Sequence, residues 1–295
     1  LGYVGQIPLS DGYHVVIAPK VPLANLFRML EYAYRLRMKF LKGIHHSDSL
    51  LEFYERLARV LARRILDRAR RGLYRAYVPR SARLEYIRGR MSLQKMLDAP
   101  WHVGLDCSYQ QHTADVEDNQ ILSWTALTIV RSGLCSPETL QVSRRAFRSL
   151  ADRATLSPFK GSTCTGRPYN RLNSDYEPMH ALCRFFLDHS GPSHRRGQHS
   201  MLPFLINMAS LYEMFVAQWL SANLPAGYLL KAKEKLKFPG PTEIRCEIDL
   251  LILDEATGTP LCVLDTKYKS PETPATDDIF QVVAYAEAVG CAEAI

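Results

Sequence analysis

The sequence predicts a mixed α/β fold in two parts: a mostly helical N-terminal part with some β structure, residues 1–172, and an α/β part, residues 173–295. Three observations carry this. Apolar residues at helical spacing recur through the first half, most plainly at Leu50, Tyr54, Leu57, Leu61 and Ile65. Over the last hundred residues the period changes to that of strands, between two apolar helices. Between the two lies a stretch, 157–173, rich in Pro, Gly, Ser, Thr and Asn, the composition of a linker.

In chain order, residues 3–22 read as extended, with Ser10-Asp11-Gly12 as a turn and Pro19 and Pro22 closing the run. A helix is expected from Leu23 to Phe40, then a break, then a long amphipathic helix from Leu50 to Arg71. Its other positions are crowded by Arg56, Arg59, Arg63, Arg64, Arg68, Arg70 and Arg71, a solvated basic face or one that meets phosphate or a partner. Strand-like residues occupy 101–109, and helices are expected at 116–131 and 136–152, the second opened by Ser136-Pro137-Glu138, an N-cap followed by proline. Asp175 to Asp188 is a further helix, and 189–200, with His194, Arg195, Arg196 and His199, reads as a loop. Met201 to Leu220 reads as an apolar helix. Tyr228 to Phe238 alternates as a strand with lysines at 231, 233, 235 and 237 on one side; Ile248 to Leu253 and Leu261 to Lys267 are the next strands, and Asp277 to Val289 is the last helix.

Composition narrows the function classes. Lys and Arg total 37 against 30 for Asp and Glu, a net charge of +7, which favours polyanionic partners without requiring them. Seven cysteines are scattered singly with no Cys-x-x-Cys, which argues against a disulfide framework or a thiolate zinc site and for a reducing cytoplasmic setting. Neither a membrane span nor a signal peptide is expected from the residues present, and no histidine spacing suggests a metal site. It begins at Leu1 and stops just after a helical pattern, so a piece of a longer chain is expected.

Two consecutive strands carry acids where a buried strand should not. Asp249 interrupts the apolar run Ile248–Leu253; Asp265 follows Leu261–Leu264, with Lys267 two positions later on the same face. A hairpin between them brings both carboxylates and the ammonium together. Unpaired buried carboxylates cost several kcal/mol each, so a close pair calls for a cation. An oxygen-ligated divalent ion that keeps several waters answers that need and leaves room for a phosphate oxygen and an attacking water. Lys267 would orient or activate the water, or stabilise developing charge. Glu213, inside the apolar helix before the strands, is a candidate third ligand; Gln281 and Tyr285 sit one turn apart on the helix after them. The alternative for each is structural: strand-end acids salt-bridged to Lys267, a half-exposed Glu213, and a surface Gln281–Tyr285 pair.

The ordered set Glu213, Asp249, Asp265-Thr266-Lys267 and Gln281-x-x-x-Tyr285 resembles the PD-(D/E)xK nuclease superfamily. More closely, the chain resembles the McrC family, nuclease subunits of the McrBC 5-methylcytosine restriction system. Stretches 17–21, 86–90, 118–120, 207–213, 248–249, 265–269 and 281–285 carry this resemblance, which spans nearly the whole chain. It implies a restriction-endonuclease-like αβββαβ core, truncated at its C-terminal end, and an N-terminal domain that docks a hexameric AAA+ GTPase and stimulates it. It also implies Mg²⁺ or Mn²⁺ at Asp249, Asp265 and Glu213, and double-stranded DNA as substrate. Ile248 stands where the motif has proline, and the strands expected after the Gln281 helix are missing. The chain has no Gly-x-x-x-x-Gly-Lys-[Ser/Thr], so GTP hydrolysis is left to the partner. The competing readings are a non-catalytic regulator of the GTPase and a stand-alone repair nuclease.

Overall fold

The computed structural model describes residues 2–9, 13–36, 49–91, 104–190, 194–196, 199–201, 203–238, 244–268 and 275–295. They form two compact units, and one cut in the chain does not separate them. The first joins residues 1–7 and 13–50 to 204–295; the second holds 8–12 and 51–203. The expected division near residue 172 is therefore not how the chain packs.

The first unit contains two sheets. Strands β1 (Tyr3–Pro8) and β2 (His14–Ile17) form a three-stranded sheet with β8 (Phe204–Asn207), in the order β2-β1-β8. Strand β8 corrects the expectation of one helix from Met201. Its apolar run looks helical in sequence, but Phe204 and Ile206 alternate into the interior and β1 supplies their backbone partners, with Tyr3 opposite Asn207. Gly5 is required there: with φ +152°, a Cβ would stand 2.0 Å from the Phe204 carbonyl oxygen. The helix proper begins after Asn207, whose side chain accepts from the amides of Ala209 (3.1 Å) and Ser210 (3.2 Å). This helix is α6 (Met208–Asn223), and α1 (Leu23–Ala33) also belongs to the first unit. Helix α1 ends earlier than expected, and residues 37–40 lie outside the described residues.

The second sheet of this unit has the order β12-β11-β10-β9. Strands β9 (Tyr228–Phe238), β10 (Ile244–Asp254) and β11 (Pro260–Leu264) are antiparallel neighbours. Asp254 closes the β10–β11 turn by accepting from the amides of Ala256 and Thr257. Helix α7 (Thr276–Val289) then packs back on the sheet. Its Val282, Tyr285, Ala286 and Val289 meet Ile248, Leu251, Leu253 and Val263 in one apolar core. Gly290, at φ +68°, ends the helix in the left-handed conformation and returns the chain to the sheet. There β12 (Glu293–Ala294) pairs parallel with β11, Cys262 opposite Glu293. A strand after the Gln281 helix is thus present, contrary to expectation. At two residues it is too short to show a pattern in sequence.

The second unit is built on helices α2 (Leu50–Arg71), α3 (Glu117–Arg131), α4 (Pro137–Ala151) and α5 (Tyr176–His189), with a sheet of β3 (Ala76–Leu84), β4 (Arg90–Met91) and β5 (Leu105–Thr113) in the order β3-β5-β4. Phe53 and Tyr54 of α2 meet Phe185 and Phe186 of α5 edge to face, at 6.0 and 5.0 Å between centroids. The arginine face of α2 is partly neutralised inside the unit: Arg59 reaches Glu138 (3.3 Å) and Thr139, and Arg68 reaches Asp175 (3.5 Å). The stretch 157–173 is not a linker. It makes a 3-10 turn at Gly161–Cys164, buries Gly161, Cys164 and Asn173, and ties Arg167 to Asp118 (3.2 Å) and Glu117. Turn-forming residues make up ordered irregular backbone as readily as flexible tethers, and composition alone does not separate the two. Within 189–200, the described parts pair as a hairpin, β6 (His194–Arg196) with β7 (His199–Met201).

Six cysteines with described side chains are free. Among the described residues, no helix is long and apolar enough to cross a membrane.

Candidate active site

The antiparallel register places Leu250 opposite Leu264, so Asp249 on β10 faces the residue just past the end of β11, Asp265. Strand β11 stops one residue before the expected Asp-x-Lys begins. That tripeptide is nonetheless fixed. The Asp265 amide donates to the carbonyl of Ile295 at 3.0 Å, and the Thr266 amide and hydroxyl both donate to Asp249 Oδ2 at 2.9 Å. Asp249 therefore anchors the turn out of β11 and the turn orients Asp249.

Lys267 folds back so that its Nζ lies 2.8 Å from Asp265 Oδ2, and it donates to Gln281 Oε1 at 3.1 Å. Asp278, one turn earlier on α7, is 4.0 Å away. Gln281 Nε2 in turn donates to the Tyr285 hydroxyl at 2.9 Å. The expected i, i+4 pair is thus a relay that fixes the amide orientation of Gln281 and, through it, Lys267. Desolvation pulls the Lys267 pKa down, but the hydrogen bond and charge of Asp265, with Asp278 and Asp249 behind them, outweigh it and hold the value above that of an ordinary lysine.

Glu213 comes from α6. Its carboxylate is 3.4 Å from Lys233 Nζ, and the Asp249 carboxylate is near enough to act on it electrostatically. Partial burial raises the Glu213 pKa most; the Asp249 carboxylate raises it further, against the pull of Lys233. Two carboxyl groups therefore converge, one of them reluctant to ionise.

These contacts join all six sequence candidates into one neighbourhood, but not as a three-acid cage. Glu213 and Asp249 face each other, whereas Asp265 is turned to Lys267 and is 6% exposed. Among the described residues, no three His, Cys, Asp or Glu side chains gather closely enough to hold an ion. The pair still fits a hard divalent cation. Mg²⁺ commonly takes one or two carboxylates and completes its shell with water. Sequence reasoning missed three participants: Thr266, Asp278 and Lys233. Thr266 is the variable position of the motif, Asp278 carries no pattern of its own, and Lys233 was hidden among the alternating lysines of β9.

The family model described as McrBC 5-methylcytosine restriction system component matches residues 1–295. The Type IV methyl-directed restriction enzyme EcoKMcrBC of Escherichia coli K12 is 25% identical over 268 residues, covering 85% of this chain and 74% of that protein. Among solved structures, an assembly of Thermococcus gammatolerans McrB AAA+ hexamers with bound McrC matches at TM-score 0.55 and 18% identity, covering 99% of this chain and 69% of the other. The cryo-EM structure of the Thermococcus gammatolerans McrBC complex matches at TM-score 0.48 and 19% identity, covering 76% and 67%. With a match that runs its full length, the chain belongs to the McrBC 5-methylcytosine restriction system component family.

Proposed function

We propose that the chain is the DNA endonuclease subunit of a modification-dependent restriction system, with a PD-(D/E)xK-type site on the β9–β10–β11 sheet that hydrolyses phosphodiester bonds with Mg²⁺ or Mn²⁺. The observation that carries this is the meeting of Glu213 and Asp249 beside a lysine fixed by Asp265 and Gln281. A bound divalent ion would neutralise the pair, lower the pKa of a water and offset charge on the phosphate. Glu213 and Asp249 would hold it, and Thr266 fixes the Asp249 oxygen that it shares. Lys267, kept protonated by Asp265, is suited to hold negative charge developing on phosphate rather than to take up a proton. Tyr285 and Gln281 limit its rotamers, which keeps the ammonium in place before DNA arrives.

Family membership supports a hexameric AAA+ GTPase of the McrB kind as the partner, double-stranded DNA as the substrate, and work in the reducing cytoplasm. The McrC of the solved Thermococcus gammatolerans assembly is bound to such hexamers. The test is cleavage of methylated plasmid DNA by this chain with the GTPase from the same system, GTP and Mg²⁺. Cutting is expected to stop with EDTA and in Asp249→Asn and Lys267→Met. Stimulated GTP hydrolysis without cutting under any divalent ion would leave a regulatory subunit in place of a nuclease, and cutting without the GTPase would favour a stand-alone enzyme.

A further inference from the structure

Strand β9 pairs with β10 from Phe238 opposite Ile244 to Tyr228 opposite Asp254, but the rung that faces Asp249 is missing. Glu234 faces Ile248 and Ala232 faces Leu250; Lys233, between them, has φ +57°. A side-chain-bearing residue in this left-handed conformation costs about 1–2 kcal/mol, so the surroundings must favour it. The kink carries the Lys233 ammonium to 3.4 Å from Glu213 Oε1, beside the carboxylate pair. Lys231, two positions away, instead approaches Glu234 on its own strand, at 4.0 Å. The departure from strand geometry thus coincides with the rung of the site acid, and it places a cation against the two groups that need one.

We propose that Lys233 is the resident counter-ion of the Glu213–Asp249 pair: it holds the two carboxylates together in the metal-free chain and gives up that place when a divalent cation binds. This rests on reading the pair as the metal site. A half-exposed ammonium on a flexible stem is a weak competitor for a doubly charged ion, so the exchange is readily reversible. The pair is kept assembled without being locked.

The test is Mn²⁺ titration of the whole chain by calorimetry. Lys233→Met is expected to bind Mn²⁺ about fivefold more tightly than wild type, because the competing charge is gone. Lys233→Gly, which keeps the left-handed backbone without strain, is expected to behave alike, and Lys233→Arg to stay at the wild-type value. Unchanged or weaker Mn²⁺ binding in both Met and Gly variants overturns the proposal while leaving the metal site standing. Absence of Mn²⁺ binding by wild type, or full binding by Asp249→Asn, sinks the metal-site reading and this inference with it.

Discussion

Replacing Glu213 by Gln separates a functional acid from a structural one. In the metal-free chain the Glu213 pKa is raised, by burial first and by the Asp249 carboxylate next, with Lys233 opposing. A group whose folded pKa is raised contributes stability that is fully present below its unfolded value, 4.5, and lost as pH rises through the folded value. Once ionised, Glu213 is therefore a burden on the fold. The Gln variant keeps the shape, removes the charge and is expected to gain about 1 kcal/mol, the usual scale for relieving a strained functional site. For a chain of this size that is a rise in Tm of about 2–4 °C. Thermal melts at pH 7.5 without divalent ions should show the gain, and melts below pH 4.5 should show it vanish, because Glu213 is then neutral. Millimolar Mg²⁺ should reverse the order, since the ion stabilises only the protein that binds it. A Gln variant that melts lower than wild type at pH 7.5 without metal would refute the reasoning, and would make the Lys233 contact an ordinary stabilising ion pair.

Metal affinity should itself rise with pH through the raised Glu213 value, with proton release on binding, measurable by titration in buffers of different ionisation enthalpy. Lys267→Met should abolish cleavage while costing the fold little, about 1 kcal/mol or less, because Lys267 is 34% exposed; urea unfolding beside a cleavage assay reads both. In the second unit His180 is buried between the Tyr169 hydroxyl (2.8 Å) and the Asp118 carbonyl (3.1 Å), and burial lowers its pKa from 6.5 to about 4. Its contribution is full above 6.5 and lost as pH falls toward 4, about 3 kcal/mol in all, so urea midpoints should drop steeply across that window; a flat profile contradicts it. Gly161→Ala would drive a Cβ to 1.9 Å from Asp188 Oδ1, displacing it from its 3.4 Å contact with Arg184, and should cost about 1–2 kcal/mol by the same unfolding assay.

The local elements were largely legible because their signals are short-range. The 3.6-residue period of Leu50–Arg71 and the Ser136 cap with Pro137 gave α2 and α4 nearly to the residue. The acids of the site were legible for a related reason: Asp249 and Asp265 break apolar runs, and an interruption in a buried pattern is visible without coordinates. Signals that depend on a distant partner failed. Phe204–Asn207 became a strand because β1, two hundred residues earlier, pairs with it. The stretch 157–173 became part of a packed unit because Arg167 finds Glu117 and Asp118.

By itself, then, the order of residues determined the helices, the strand pair and the chemical types gathered at the site, since periodicity and polarity act between near neighbours. Folding in three dimensions decided the rest: that β1, β2 and α1 pack with the C-terminal hundred, that Asp265 serves Lys267 while Glu213 meets Asp249, and that β9 kinks at Lys233 to bring it to Glu213. Those outcomes depend on which distant group offers the lowest electrostatic and hydrogen-bonding free energy once the chain is compact. No local pattern along the sequence encodes that comparison.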